Sequence, residues 1–471
     1  MKHLTPLKAQ PMITIKKIAS YALRTGATAL FLINPAQAGI PIEHWTQGSG
    51  AQVWLVQSHA IPMLDVQIDF DAGSRRDPPD QAGLASVTAS MTGKGVLASA
   101  SKVAGVSATE PALDENAVSE AWADLGAAFH AGAGSDRMSF SLRLLSYPDI
   151  LAQAAQLAAR QLGEPAFPEA VWQRERETLN AALKEANTRP ATWAARAFAA
   201  AVYGQHPYGL EMTEASLARI SVPDMKGLHA GLILPCRAKV TMVGAVNRAQ
   251  ADALVSQLLA RLPAANTACP ALPSVAEVKA LQESVVKQIA FKSAQAHVLI
   301  GQPGFKRHDP DYFALTVGNY ILGGGGFVSR LTSEVREKRG LSYSVYSAFA
   351  PGLHAGAFTL GLQTRPDQSE QAVQVARDVL SRFVADGPTE TELQAAKDNL
   401  IGGFSLRIDS NGKLLGNVAN IAWYGLALDY LETWTQQVAQ VTAQDIKAAF
   451  KRKLQPDKMV TVVVGGANAK P

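Results

Sequence analysis

Read for alternation, the chain first offers two strands, 51–57 and 63–71, separated by Ser58 to Pro62 as in a hairpin. After a loop at 73–79, Leu84, Val87 and Met91 fall on one face at helical spacing, predicting a helix capped by Asp80 and running to about Met91. A helix over 115–125 follows, then strands at 127–130 and 137–145 around Gly132-Ala133-Gly134. The Ala- and Leu-rich stretches 150–162, 168–186 and 190–202 read as helices, 238–244 as an apolar strand and 248–262 as a helix.

Pro263, Pro270 and Pro273 then mark a linker over 264–282. Beyond it the same order returns: a strand at 297–301, a helix at 309–322, strands at 341–348 and 357–363, helices at 369–385 and 389–400, and a closing strand at 459–464. Val462-Val463-Val464-Gly465 echoes Met242-Val243-Gly244 in position and type. The pattern therefore predicts an internal duplication: two α+β domains, 44–263 and 283–467, each an antiparallel or mixed sheet with helices on one face.

One stretch of the second half, 319–349, concentrates candidate chemistry. Gly323, Gly324, Gly325 and Gly326 form a run able to adopt positive φ and to admit a bound chain close to the backbone. Ser329 to Lys338 reads as a helix ended by Gly340, and Leu341 to Ala348 alternates as a half-buried strand. Arg336 and Tyr343, brought together across that turn, both donate hydrogen bonds to carbonyl oxygens.

The glycine run and the spacing of Arg336, Gly340, Leu341 and Tyr343 resemble the C-terminal half of the pitrilysin/insulinase family of inverted-motif zinc peptidases, which includes the mitochondrial processing peptidases and two-subunit bacterial relatives. The resemblance covers nearly the whole mature chain. It implies two homologous domains, each with a sheet of about six strands flanked by helices. It also implies that Arg336, Tyr343 and the glycines hold a substrate backbone.

Members with activity carry His-x-x-Glu-His on the first long helix and a further glutamate on a later one, the imidazoles and carboxylate binding zinc and the first glutamate acting as base. The flanks are present here as Gly83-Leu84-Ala85, Met91 and Gly93-Lys94-Gly95, but Ser86, Ala89 and Ser90 stand at the motif positions. Glu175-Arg176 through Leu183 follows the later signature with Ala182 at its metal position. Neither hydroxyls nor methyls belong to the set of groups that hold zinc in proteins. Glu177 and Glu185 remain nearby as a displaced carboxylate, without a partner imidazole. His44, His59, His130, His206, His229, His297, His308 and His354 form no i, i+3 or i, i+4 pair. There is no Gly-x-Ser-x-Gly elbow, and no Lys-Ser/Thr follows the glycine run, so serine-hydrolase and P-loop chemistry are unsupported.

Composition alters this picture at one end. Lys16, Lys17 and Arg24 precede the apolar run 27–33, and Ala36-Gln37-Ala38 offers a small-x-small cleavage site, so 1–38 reads as a signal peptide directing the protein to the periplasm. That leader holds Lys2, Lys8, Lys16, Lys17 and Arg24, leaving 44 − 5 = 39 basic against 40 acidic residues. The remaining chain is nearly neutral, so nothing argues for the basic face a nucleic-acid binder needs, and no membrane span is expected after the leader is removed. Cys236 and Cys269 read as structural or incidental. The reading that results is a non-catalytic, substrate-binding subunit of a heterodimeric zinc peptidase. It would have no cofactor of its own, act on peptides, and rely on a zinc-bearing family partner for proteolysis. A structural or peptide-binding member with no part in proteolysis, and a homodimer with another metal site, are the alternatives.

Overall fold

The computed structural model describes residues 39–103, 106–263 and 269–466, so the leader and part of the linker lie outside the described residues. Strands β1 (Glu43–Thr46), β2 (Gln52–Gln57), β3 (Met63–Phe70), β4 (Ala128–Ala133), β5 (Met138–Leu145) and β6 (Lys239–Gly244) form one sheet in the order β1-β2-β6-β3-β5-β4. Its half of the chain carries α1 (Leu84–Met91), α2 (Glu115–Asp124), α3 (Pro148–Gly163), α4 (Glu169–Ala186), α5 (Pro190–Tyr203), α6 (Glu214–Arg219), α7 (Val222–Leu232) and α8 (Arg248–Leu259). The second sheet joins β7 (Val285–Ile289), β8 (Ala296–Pro303), β9 (Ser344–Phe349), β10 (Ala357–Thr364) and β11 (Val460–Val464) in the order β7-β11-β8-β10-β9. Its helices are α9 (Tyr312–Asn319), α10 (Ser369–Asp386), α11 (Glu390–Gly402), α12 (Asn411–Tyr424), α13 (Tyr430–Gln440) and α14 (Ala443–Lys453).

Apart from β1, the two sheets have the same strand order. In each, the last strand of the half enters between the first two, parallel to the first and antiparallel to the second. This is why 242–244 and 462–465 echo each other: both are central strands, apolar on both faces. The α+β duplication with helix-flanked sheets of five and six strands is as expected.

The helices cover both faces of each sheet rather than one. Val53, Leu55, Ile68 and Phe140 face helices of their own half, whereas Trp54, Val56 and Val243 pack on Leu414, Leu415, Val418 and Ile421 of α12. Reciprocally, Ala194, Phe198 and Val202 of α5 cover Val460, Val462 and Val464 of β11. The halves thus exchange one helix each, because strands with consecutive apolar residues need burial on both sides.

Several local details differ from the pattern reading. Helix α1 starts at Leu84, and the capping carboxylate is Asp77, which accepts from the Gly83 and Ala85 amides at 2.8 and 2.9 Å, while Asp80 is exposed. The stretch 411–453, which the pattern leaves without elements, holds three helices. Ser410 caps the first, which Gly425 ends at φ 61°, and a Thr442–Asp445 capping box starts the last. Cys236 and Cys269 form a disulfide with Cα atoms 5.7 Å apart, tying the segment after α8 to the turn at Pro235–Arg237. Among the described residues no helix is long and apolar enough to cross a membrane.

Candidate functional site

The helix that would carry a zinc motif is regular and well packed. Leu84, Ala85, Val87, Ala89 and Met91 of α1 are buried, and Ser86 and Ser90 lie one turn apart on its exposed side. On α4, Ala182 is exposed, and Glu185 is paired at 2.5 Å with Arg189. Glu175 meets Lys94 at 2.8 Å and Arg174 at 3.2 Å, and both cations also reach Glu115, so the acids here are neutralised by lysine and arginine. The Lys94 hydrogen bond, ahead of the other contributions, holds the Glu175 carboxyl below its ordinary range. Among the described residues no cluster of three histidine, cysteine or acidic side chains could hold a metal. Two hydroxyls and two methyls at the motif positions do not fit a zinc ion.

The Arg336–Tyr343 region is built differently. The chain from Tyr320 to Gly324 and from Thr332 to Glu337 winds as π-helix, with Gly325 and Lys338 amides bonded five residues back. Such bulges recur at functional sites. Gly340, at φ 61°, ends the second turn, its amide on the Arg336 carbonyl at 2.8 Å and that of Leu341 on Val335 at 2.9 Å. Leu341 and Ser342 then turn inward, Ser342 donating to the carbonyls of Ser344 and Gln363, and Tyr343 between these anchors and β9 is left 80% exposed. The Tyr343 ring therefore does not share the buried face of Val345 and Ser347, and the strand starts only at Ser344.

Arg336 lies with its guanidinium 4.9 Å from the Tyr343 ring and 4.7 Å from that of Phe327, and its Nε is 3.2 Å from Glu337. Rings occupy the faces of a guanidinium; its N–H donors project from the edge. The Tyr343 hydroxyl has no partner among the described residues. Phe327 is 71% exposed and was not singled out from the sequence, although an aromatic residue following four glycines and left unpaired by any apolar stripe is a visible signal.

The four glycines do different things. A Cβ on Gly323 would sit 2.4 Å from the Ser347 amide nitrogen, so this buried residue lets the helix lie against β9. There the Asn319 amide donates to the Ser347 carbonyl at 3.1 Å and accepts from its hydroxyl at 2.8 Å. Gly324 and Gly325 are hemmed by Asn319 and Tyr320, and Gly326 alone of the four has positive φ, 61°, with open space around it.

Two of the histidines, His206 and His354, meet at the junction of the halves. His206 Nδ1 accepts from the Tyr208 amide at 3.1 Å and its ring lies 5.1 Å from His354, which reaches Glu277 at 3.2 Å. Burial and then the neighbouring His354 push the His206 pKa down.

A family model described as the peptidase M16 inactive domain matches residues 219–400. An uncharacterized zinc protease of Streptomyces coelicolor is 34% identical over 38% of this chain, and the match spans 39% of that relative's length. The Helicobacter pylori protein named non-peptidase homolog YmxG is 25% identical over 87% of this chain and 90% of its own. The solved structure of a peptidase M16 inactive domain from Pseudomonas fluorescens superimposes with a TM-score of 0.83 at 34% identity, covering 92% of this chain and 99% of that one. With that identity over nearly the full length of both, and a first helix whose motif positions hold no metal donors, this chain is a member of the peptidase M16 inactive-domain family.

Proposed function

We propose that the chain is the non-catalytic, substrate-binding subunit of a heterodimeric zinc peptidase, supplying Arg336, Tyr343 and the Gly323–Gly326 segment to a zinc-bearing family partner. The observation that carries this reading is the solvent-facing Tyr343 hydroxyl beside the Arg336 guanidinium, of which, among the described residues, only Nε is engaged, by Glu337, on a chain whose zinc-motif positions hold no metal donors. Tyr343 would donate to the scissile carbonyl oxygen as negative charge develops there, a contribution of roughly 3 kcal/mol for one such donor. Arg336 would hold a neighbouring peptide carbonyl. The zinc-activated water would come from the partner. We read 44–263 and 283–467 as the two domains, and 1–38 as a cleaved leader that gives a mature N-terminus at Gly39 in the periplasm; the Cys236–Cys269 disulfide supports an oxidising compartment.

The test is to combine the chain with a family member bearing His-x-x-Glu-His. Peptidase activity present only in the mixture is expected, and Tyr343→Phe should lower kcat by about 10²-fold while leaving assembly intact. Full activity of Tyr343→Phe and Arg336→Ala complexes on every cleaved substrate would leave the second reading, a peptide-binding or structural protein without a part in proteolysis.

A further inference from the structure

Arg307 carries a positive charge into a bowl of tyrosine rings without meeting a carboxylate. Its guanidinium carbon is 3.8 Å from the ring centre of Tyr312, 5.1 Å from Tyr430 and 5.9 Å from Tyr424. Nη2 donates to the Tyr430 hydroxyl at 2.6 Å. A guanidinium has five N–H donors, and that hydroxyl is the one side-chain acceptor the described residues give it. Other arginines of the same half are matched to acids: Arg330 to Glu392, Arg452 to Asp311. Across the junction, Asp136 is engaged by Arg75 at 3.2 Å and by the Tyr208 hydroxyl at 2.6 Å.

Arg407, 5.2 Å over the Trp434 ring, likewise has no carboxylate within ion-pair distance among the described residues. Both cations line one cavity of about 260 Å³, together with Tyr424, Asn417 and Trp434. The volume lies below the range of about 300–1,000 Å³ usual for drug-sized ligands, so it suits one amino-acid-sized group rather than a folded partner. Two cations with open donors call for an oxyanion, and aromatic walls call for an apolar group attached to it.

We propose that this cavity binds an α-carboxylate carrying an apolar or aromatic side chain, the carboxylate between Arg307 and Arg407 and the side chain against Tyr424 and Trp434. An acylated free amino acid and the C-terminal residue of a peptide both present that chemistry. The assignment does not rest on the peptidase reading, since it uses none of the residues assigned there.

Isothermal titration of the full chain with N-acetyl-phenylalanine, its amide, a hexapeptide ending in phenylalanine acid, and inorganic phosphate tests it. The acids should bind and the amide should bind at least about tenfold more weakly, because it lacks the charge. Arg407→Gln, at an exposed position with no hydrogen bond to lose, should weaken the acids by a similar factor even if Arg307→Gln proves unstable. Tighter binding of the hexapeptide than of N-acetyl-phenylalanine identifies the ligand as a peptide C-terminus, and the reverse identifies a free acylated amino acid. Equal binding of acid and amide, undiminished binding by Arg407→Gln, phosphate binding without acid binding, or no heat from any probe at about 10 mM would each overturn the assignment.

Discussion

Trp122 and Phe129 in the first half, and Arg336 and Tyr343 in the second, stand in the same frame around a helix-ending glycine with opposite contents, the first pair closing a regular α-helix and the second a π-helical turn. In each pair the first residue precedes a left-handed glycine by four positions and the second follows it by three, with Gly126 at φ 57° and Gly340 at φ 61°. Each turn leads into the edge strand of its sheet, β4 or β9. In the first, Trp122 stacks on Phe129 at 5.5 Å, Phe129 continues to Phe140, and the indole donates to Gln161. In the second, the equivalent stack is a half-buried guanidinium on a phenol ring that is left in solvent. A core solution was available to this geometry, so the exposure of the second pair is not forced by the fold.

That comparison can be broken most sharply by deletion on each side. Trp122→Ala should cost about 3–5 kcal/mol of stability, the usual loss for a buried large aromatic. Arg336→Ala should cost no more than about 0.5 kcal/mol. Thermal melts of both variants decide it: a comparable loss from Arg336→Ala would make the second pair structural and remove the substrate assignment. Next in size, Gly126→Ala and Gly340→Ala should each cost about 1–2 kcal/mol from backbone conformation alone, since a Cβ at either position meets nothing within 4 Å. Unequal losses in denaturant titration would show that the glycine does not play the same part in the two turns.

Smaller effects sharpen the contrast between the buried junction and the outer surface. The folded pKa of His206 lies below its unfolded value of 6.5, lowered by burial and by His354, with Asp136 and Glu277 opposing. The neutral ring is therefore favoured in the fold: its contribution is complete above pH 6.5 and is lost as pH falls from there through the lower folded pKa. His206→Asn, which keeps an acceptor for the Tyr208 amide, should show a smaller drop in melting temperature than wild type between about pH 7.5 and 5.5. Least of all, Ser86→His with Ser90→His should change stability by under about 0.5 kcal/mol, both positions being exposed, and should yield no tightly held zinc in metal analysis after dialysis.

What the sequence made legible follows from where the signals are local. Period-two runs placed β2, β3, β8 and β10 to within a residue or two, and the repeat of strand order was visible in 242–244 and 462–465, because central strands are short, apolar and bounded by glycine. The missing zinc donors and the Arg336–Tyr343 spacing could be read directly. The two-sided burial of the sheets could not, since α5 and α12 reach partners in the opposite half and no local pattern records that. Phe327 is not legible because its place depends on the guanidinium beside it, and the outward turn of Tyr343 is not legible because the Ser342 hydrogen bonds, rather than the strand pleat, fix it. Asp77 was overlooked as a cap because its carboxylate reaches α1 from six and eight residues away.

The exchange of α5 and α12 sets an order on how the protein can be made. The strands of the first sheet have all left the ribosome once residue 244 is out, but Trp54, Val56 and Val243 have no cover until 411–424 follow. Through that interval the nascent first half displays an apolar sheet face, the kind of surface that recruits chaperones or aggregates. Cut at the linker, each fragment would keep a bare face and carry a helix with nothing to cover, so the duplication that wrote the gene twice has left two halves that fold as one.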